Sequence, residues 1–216
     1  MTDTAKKFLY EERKYAEDVI NTLRICSIDD EKRFVDTLVR KFGTSRVLKC
    51  QLAYKHSTYL CSYFHAPCLF FPYFDIEGNI VGLQARYLGD IETHQRFQFP
   101  KGTETHIFNQ PICKELAPQE PLFIAEGVTD AIALLSSGYK AIAIPSATLL
   151  KKDELKDLVT HPLMMYPDND EPGERLFKQI ESSIKSIGGS ITRLILPNDC
   201  KDFSEFFVKH KFYIDD

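Results

Sequence analysis

The chain has 216 residues, 44% of them hydrophobic and 27% charged, with a formal net charge of −4. That apolar share, with 16 phenylalanines, is enough for a packed core and excludes wholesale disorder. A protein that coats nucleic acid is usually strongly basic, so bulk charge announces no polyanion partner, although a local patch would suffice to bind one.

No apolar run approaches the roughly 20 residues of a spanning helix. Met1-Thr2-Asp3-Thr4-Ala5-Lys6-Lys7 leads into charge rather than into an apolar export segment. The reading is a cytoplasmic protein with no membrane partner. Its six cysteines (Cys26, Cys50, Cys61, Cys68, Cys113 and Cys200) form no CxxC pair and are expected reduced. Charge is uneven: residues 1–57 hold 12 Lys and Arg against 9 Asp and Glu, 58–110 hold 3 against 5, and 111–216 hold 12 against 17.

Residues 1–57 read as a helical N-terminal segment. Phe8, Tyr15, Val19, Ile20 and Leu23 recur at helical spacing. Asp29 or Asp30 caps a second helix through Phe34, Leu38 and Val39 that stops at Gly43, and a third runs from Ser45 to Ala53. Residues 58–118 form a mixed region. There Leu69–Phe74 and Ile80–Tyr87 make a β-hairpin around Asp75-Ile76-Glu77-Gly78-Asn79, Arg96–Phe99 is a third strand, and a loop starts at Pro100. Residues 119–216 alternate. Strands are expected at 122–125, 141–144, 163–166 and 191–196, and helices at 129–137, 153–158, 172–187 and 203–209. Connections this short imply a parallel α/β sheet with right-handed crossovers.

In such sheets functional groups collect beyond the carboxyl ends of strands. Three acidic clusters fall there: Glu126-Gly127, Asp168-Asn169-Asp170, and Asp199 with Lys201-Asp202. Asp168 and Asp170, one residue apart, point to the same side of an extended loop. Gathered carboxylates call for positive charge between them, and hard oxygen donors with water suit Mg²⁺.

These clusters resemble a known family. Glu126-Gly127-Val128-Thr129-Asp130-Ala131 is similar to the EGxxDxxxL motif of Toprim domains, and Pro167–Gly173 to their DxDxxG motif. Lys201-Asp202 resembles the later Lys-Asp pair of bacterial primases. Upstream, the stretch Phe71–Arg86 is similar to the FPxxDxxGxxxGfxxR segment that precedes Toprim in DnaG-type primases, and Lys101–Phe108 loosely resembles the polar segment that follows.

The resemblance implies a Rossmann-like Toprim fold at 119–216 preceded by a primase-core subdomain at 58–118. It also implies a primase catalytic core that makes short RNA on single-stranded DNA from ribonucleoside triphosphates with Mg²⁺ or Mn²⁺. In that reading Asp168 and Asp170 ligate metal. Glu126 is a further ligand or handles the proton of the attacking hydroxyl. Asp130, Lys201 and Asp202 support the site, and Arg86 and Lys101 face the template or triphosphate.

The chain departs from the family at three points. The zinc-binding module with CxxH and CxxC pairs and the long helicase-binding region are absent from the sequence, and the motif Lys-Asp-Pro-Asp reads Lys201-Asp202-Phe203-Ser204. A helicase or a separate zinc module is therefore a candidate partner. The chain is otherwise a fragment of a larger protein or a reused domain, and its compactness fits a mobile element. A metal-dependent Toprim nuclease and a non-catalytic replication module stay open as alternatives.

Cys61, His65 and Cys68, near Cys50 and His56, lack a paired-knuckle spacing and are better read as thiols beside an aromatic strand, so zinc is not expected. Of the aromatics at 59–74, Tyr63 and Tyr73 are the candidates for stacking on bases. Arg46, Lys49 and Lys55 form either a basic face toward nucleic acid or a solvated helix surface. There is no GxxxxGK[ST] and no GxGxxG.

Overall fold

The computed structural model describes residues 1–90, 92–104, 106–144 and 158–210. The helix expected at 153–158 lies outside the described residues except for Leu158, as does Thr105.

Three groups of strands organise the chain. Near the N-terminus, β1 (Cys26–Ile28), β4 (Cys68–Phe74), β5 (Ile80–Tyr87) and β6 (Phe97–Gln98) form an antiparallel sheet in the order β1-β4-β5-β6. Between its first two strands in sequence, β2 (Ala53–His56) and β3 (Tyr59–Ser62) make a separate hairpin. In the C-terminal half, β7 (Leu122–Ala125), β8 (Lys140–Ala143), β9 (Leu163–Met165) and β10 (Ile191–Arg193) form a parallel sheet in the order β10-β9-β7-β8. Helices α5 (Val128–Ser136), α6 (Glu171–Lys185) and α7 (Phe203–His210) flank it. Phe108 bridges the two halves: its N–H donates to Ala143 O at 2.9 Å beside β8.

The period-2 alternation of strands explains why both sheets are covered on two sides. In β4, Leu69, Phe71 and Tyr73 enter one core while Cys68 and Phe70 enter another with Phe64 and Phe34. In β7, Phe123 and Ala125 face the first core, which also holds α5 and α7. Leu122 and Ile124 face Leu176, Phe177, Ile180 and Ile184 of α6. The first core is shared between the halves, since Phe8, Leu9, Tyr15 and Ile20 pack into it beside Ala131 and Phe207.

The N-terminal stretch differs from one continuous set of helices. Helix α1 (Asp3–Lys6) runs into a π-helical turn, Lys7–Glu12, which ends where Lys14 takes a positive φ of 55°. Helix α2 (Glu17–Thr22) then stops before Arg24, φ 54°, and β1 follows. The periodicity of Phe8, Tyr15 and Ile20 is real as burial but is carried by two helices with a kink between them. Helix α3 (Glu31–Phe42) is capped by Asp30, whose Oδ1 accepts from Arg33 N–H at 2.8 Å. Helix α4 (Thr44–Lys49) is shorter than expected, and the chain turns into β2 at Ala53. That hairpin has no Asn-Gly or Gly signal: Ser57 adopts φ 55° in the turn without a glycine. Tyr73 is fully buried and its hydroxyl donates to Gln84 Oε1 at 3.1 Å, which removes it as a base-stacking candidate.

Among the described residues, no helix is long and apolar enough to cross a membrane.

Candidate active site

The strand order fixes where the site lies. The chain leaves β7 for β8 on one side, then returns to place β9 on the other side of β7. The switch point is thus between the carboxyl ends of β7 and β9, where the crossovers diverge and leave a crevice. Glu126 follows β7 and Asp168 lies three residues beyond β9, so the topology delivers both carboxylates to that crevice.

The carboxylates there are poorly compensated. Asp130, on the first turn of α5, is buried. Its Oδ1 accepts from Ser204 N–H at 2.9 Å, yet burial and the charge of Asp202 push its carboxyl up to about 7. Asp168 is pushed up to about 8, first by burial and then by Asp130, Glu126, Asp202 and Asp170. Glu126 is raised by burial and by Asp170, and its Oε2 is buried with no hydrogen-bond partner. Asp170 is different: it caps α6 through Gly173 N–H at 2.9 Å and meets Lys201 Nζ at 3.4 Å, and these contacts hold its carboxyl below the usual range.

The loops are locked together by backbone and amide contacts. Asn169 N–H donates to Lys201 O at 2.7 Å, and its Nδ2 donates to Cys200 O at 2.7 Å and Pro197 O at 3.0 Å. Asp202 caps α7 by accepting from Glu205 N–H at 2.7 Å, while Glu205 Oε2 accepts from Lys201 N–H. Gly173 permits the close return of α6 over this loop. A Cβ there would lie 2.6 Å from Asp168 O and 2.8 Å from Asp168 Cβ. Gly173→Ala is therefore expected to displace the Asp168 loop and cost about 1–3 kcal/mol, read as a lower Tm in thermal unfolding; an unchanged Tm would contradict this packing.

Ser204 occupies the position where the family motif carries its second acid. Its Oγ meets Tyr15 OH at 3.1 Å and accepts from Arg13 Nη1 at 3.3 Å, and Tyr15 OH donates to Thr129 O at 3.1 Å. This N-terminal contribution from Arg13 and Tyr15 was missed in the sequence. The signal available was only the polar run Glu11–Lys14 inside an apolar helical pattern.

Arg86 is buried rather than displayed. Its guanidinium lies over the rings of Phe8, 4.5 Å away, and Phe97, 4.9 Å away, and its Nε has no partner. Burial pulls it down to about 10, with Arg13 and Arg96 adding repulsion. The Tyr15 phenol is within Coulombic reach of Arg13, Asp130 and Arg86, which links this cationic cluster to the carboxylates. Lys101 is exposed on the loop after β6, and no described contact joins it to that group.

The oxygen donors, the orphaned Glu126 Oε2 and the mutual repulsion fit a hard divalent cation. Among the described residues, however, no three His, Cys, Asp or Glu side chains form a ready-made metal cage. That is compatible with Mg²⁺, which binds through one or two carboxylates and keeps several waters. Cys61, His65 and Cys68 have other surroundings: Cys68 is buried in β4, and His65 meets Glu31 Oε1 at 3.3 Å and stacks on His94.

The family model described as Toprim-like matches residues 123–207. No curated protein matches in a sequence comparison. Solved structures do match. The RNA polymerase domain of Mycobacterium tuberculosis primase DnaG has a TM-score of 0.77 at 18% identity, covering 100% of this chain and 76% of that one. A DnaG primase catalytic domain bound to single-stranded DNA has a TM-score of 0.75 at 18% identity, covering 96% and 68%. Aquifex aeolicus primase, with zinc-binding and RNA polymerase domains, has a TM-score of 0.81 at 15% identity, covering 99% and 55%. The chain thus contains a Toprim-like domain and has the fold of DnaG primase catalytic cores.

Proposed function

We propose that this chain is a primase catalytic core that joins ribonucleotides into short RNA on a single-stranded DNA template, using Mg²⁺ or Mn²⁺. The observation that carries this reading is the uncompensated set of Glu126, Asp130 and Asp168 at the switch point of a DnaG-like fold. The single-stranded DNA bound to one similar DnaG domain supports the choice of template.

In this proposal Asp168 and Asp170 would hold the cation, with Glu126 as a further ligand. Such a cation, when bound, lowers the charge barrier between a 3′-hydroxyl and a triphosphate and stabilises the pyrophosphate leaving group. The alternative role for Glu126, whose carboxyl is raised by burial and by Asp170, is to take the proton of the attacking hydroxyl. Asp130 holds the N-terminus of α7 through Ser204 N–H and so positions Asp202. Lys201 balances Asp170. Arg86, with Arg13 and Arg96 near it, supplies positive charge to a triphosphate, and exposed Lys101 faces the template. A separate zinc module or a helicase would add template recognition.

The test is primer synthesis on single-stranded DNA with labelled ribonucleotides and Mg²⁺ or Mn²⁺, with Glu126→Gln beside the native chain. Short RNA from the native chain only is the expected result. Cut DNA would replace the reading by a metal-dependent nuclease. No product, with folded chain and intact DNA, would replace it by a non-catalytic module.

A further inference from the structure

Residues Arg13 to Ala16 follow the π-helical turn and cross two helices in consecutive contacts. Arg13 Nη1 donates to Ser204 Oγ at 3.3 Å and Lys14 Nζ donates to Val208 O at 3.1 Å, both on α7. Tyr15 OH donates to Thr129 O and Ala16 N–H donates to Ser136 Oγ, each at 3.1 Å and both on α5. The Tyr15 ring packs on Phe207 of α7, with centroids 6.4 Å apart. The stretch is therefore a strap over the two helices whose N-terminal ends carry Asp130 and Asp202. Both of those carboxylates lie within Coulombic reach of Asp168.

The protons give this strap a direction. A phenol has one proton to donate, and Tyr15 gives it to Thr129 O. The 3.1 Å contact between Tyr15 OH and Ser204 Oγ then uses the serine proton, and a lone pair of Ser204 Oγ accepts from Arg13. The chain runs from Arg13 N–H through Ser204 O–H and Tyr15 O–H to the Thr129 carbonyl, each bond polarising the next. Ser204 and Tyr15 are 1% and 3% exposed, so water does not compete for these groups. Ser204 N–H is engaged as well, by Asp130 Oδ1, and one residue thus ties the strap, α5 and α7 together. The acid that the family motif carries at this position would not do so. A carboxylate only accepts; it would take the protons of both Arg13 and Tyr15, and Thr129 O would lose its partner. Serine at 204 is what lets the strap close onto α5.

We propose that Tyr15 is a positioning residue for the cation site: through Ser204, which Arg13 orients, it fixes the spacing between the N-terminal ends of α5 and α7 and so holds Asp130 and Asp202 beside Asp168. The inference rests on the proposed function only in taking a divalent cation to bind there.

The test is the Mn²⁺ affinity of the full chain, read from the paramagnetic resonance of the free ion without nucleotide or DNA, beside Tm by circular dichroism. Tyr15→Phe keeps the ring on Phe207 and removes only the hydroxyl. It is expected to weaken Mn²⁺ binding about tenfold or more, the usual effect of losing a group that orients a ligand. Ser204→Ala is expected to do the same, and the double variant to lose no more than either alone, because both break one chain of bonds. Ser204→Thr keeps the hydroxyl and should bind like the native chain, and Arg13→Met should weaken binding by a smaller factor, since it leaves Tyr15 on Thr129 O. Ser204→Asp separates geometry from charge. An added acid near the site would tighten Mn²⁺ binding by charge alone, whereas the loss of the bond to Thr129 O should weaken it about tenfold or more. Tyr15→Phe carries the test if Ser204→Asp does not fold. Native-like Mn²⁺ affinity in folded Tyr15→Phe, whatever its Tm, would make the strap a packing element and overturn the inference, as would tighter binding by Ser204→Asp. Weakened binding in these variants of a native chain that makes no primers would overturn the proposed function and leave the strap standing. No Mn²⁺ binding by the native chain would overturn both.

Discussion

Asp168→Asn is expected to reduce metal-dependent nucleotidyl transfer by about a hundredfold or more and, at the same time, to make the metal-free protein more stable. The two effects have one cause. Asp168 is half-buried among Asp130, Glu126, Asp202 and Asp170, and this surrounding pushes its carboxyl up to about 8. An unfolded aspartate titrates near 3.9. Between about pH 4 and pH 8 the folded chain therefore holds a proton that the unfolded chain has released, and stability falls as pH rises through that window. Asp130, pushed up to about 7, acts in the same direction. The native chain without metal should show a Tm that declines from mildly acidic pH toward pH 8, and the asparagine variant a flatter profile with a Tm higher by roughly 3–6 °C near pH 8. Mg²⁺ should raise the native Tm by binding only the folded state and leave the variant nearly unmoved. A variant that is both inactive and markedly less stable would mean that Asp168 serves packing.

The elements that set this site were legible because each carries a local rule. The apolar runs Leu122–Ala125 and Leu163–Met165 with helices after them force a parallel sheet, and a parallel sheet collects its loop residues at one edge. That argument delivers three acidic clusters, Glu126, Asp168 with Asp170, and Asp199 with Asp202, and the resemblance to Toprim motifs singles out Glu126, Asp168 and Asp170 among them. The hairpin β4–β5 was legible through Gly78-Asn79, and α3 through Asp30 and Gly43. What stayed hidden lacks a local signal. The turn at Ser57 uses a positive φ with no glycine, and β1 is three residues long with its partners 40 to 44 residues away in β4. Arg13 and Tyr15 reach Ser204 across nearly the whole chain, through contacts at sequence separations of 191 and 189. The unequal partnering of Asp168 and Asp170 was hidden too, because it depends on which of them caps α6 and meets Lys201.

Arg86→Met should separate binding from stability in the same way from the opposite sign of charge. The guanidinium lies between the rings of Phe8 and Phe97 with an unpartnered Nε, and the charges nearest to it include two further arginines. Cation–π attraction of about 1–2 kcal/mol per ring offsets only part of the cost of burying a charge on which Arg13 and Arg96 each act more strongly than the opposing Glu12. Methionine fills the slot between the rings with a polarisable thioether and no charge. The expected result is a Tm equal to or higher than that of the native chain, with affinity for a nucleoside triphosphate, titrated in a fluorescent analogue assay, lower by tenfold or more. Arg86→Lys should keep part of that affinity and lose the paired stacking, because an ammonium is a point charge without the planar fork. A large drop in Tm with triphosphate affinity unchanged would make Arg86 a structural residue. Burying charge of both signs within Coulombic reach of Tyr15, Asp130 on the one hand and Arg86 on the other, is costly in the free protein. It becomes favourable when a ligand brings both complements together, and a polyphosphate with its divalent cation is a ligand that does so.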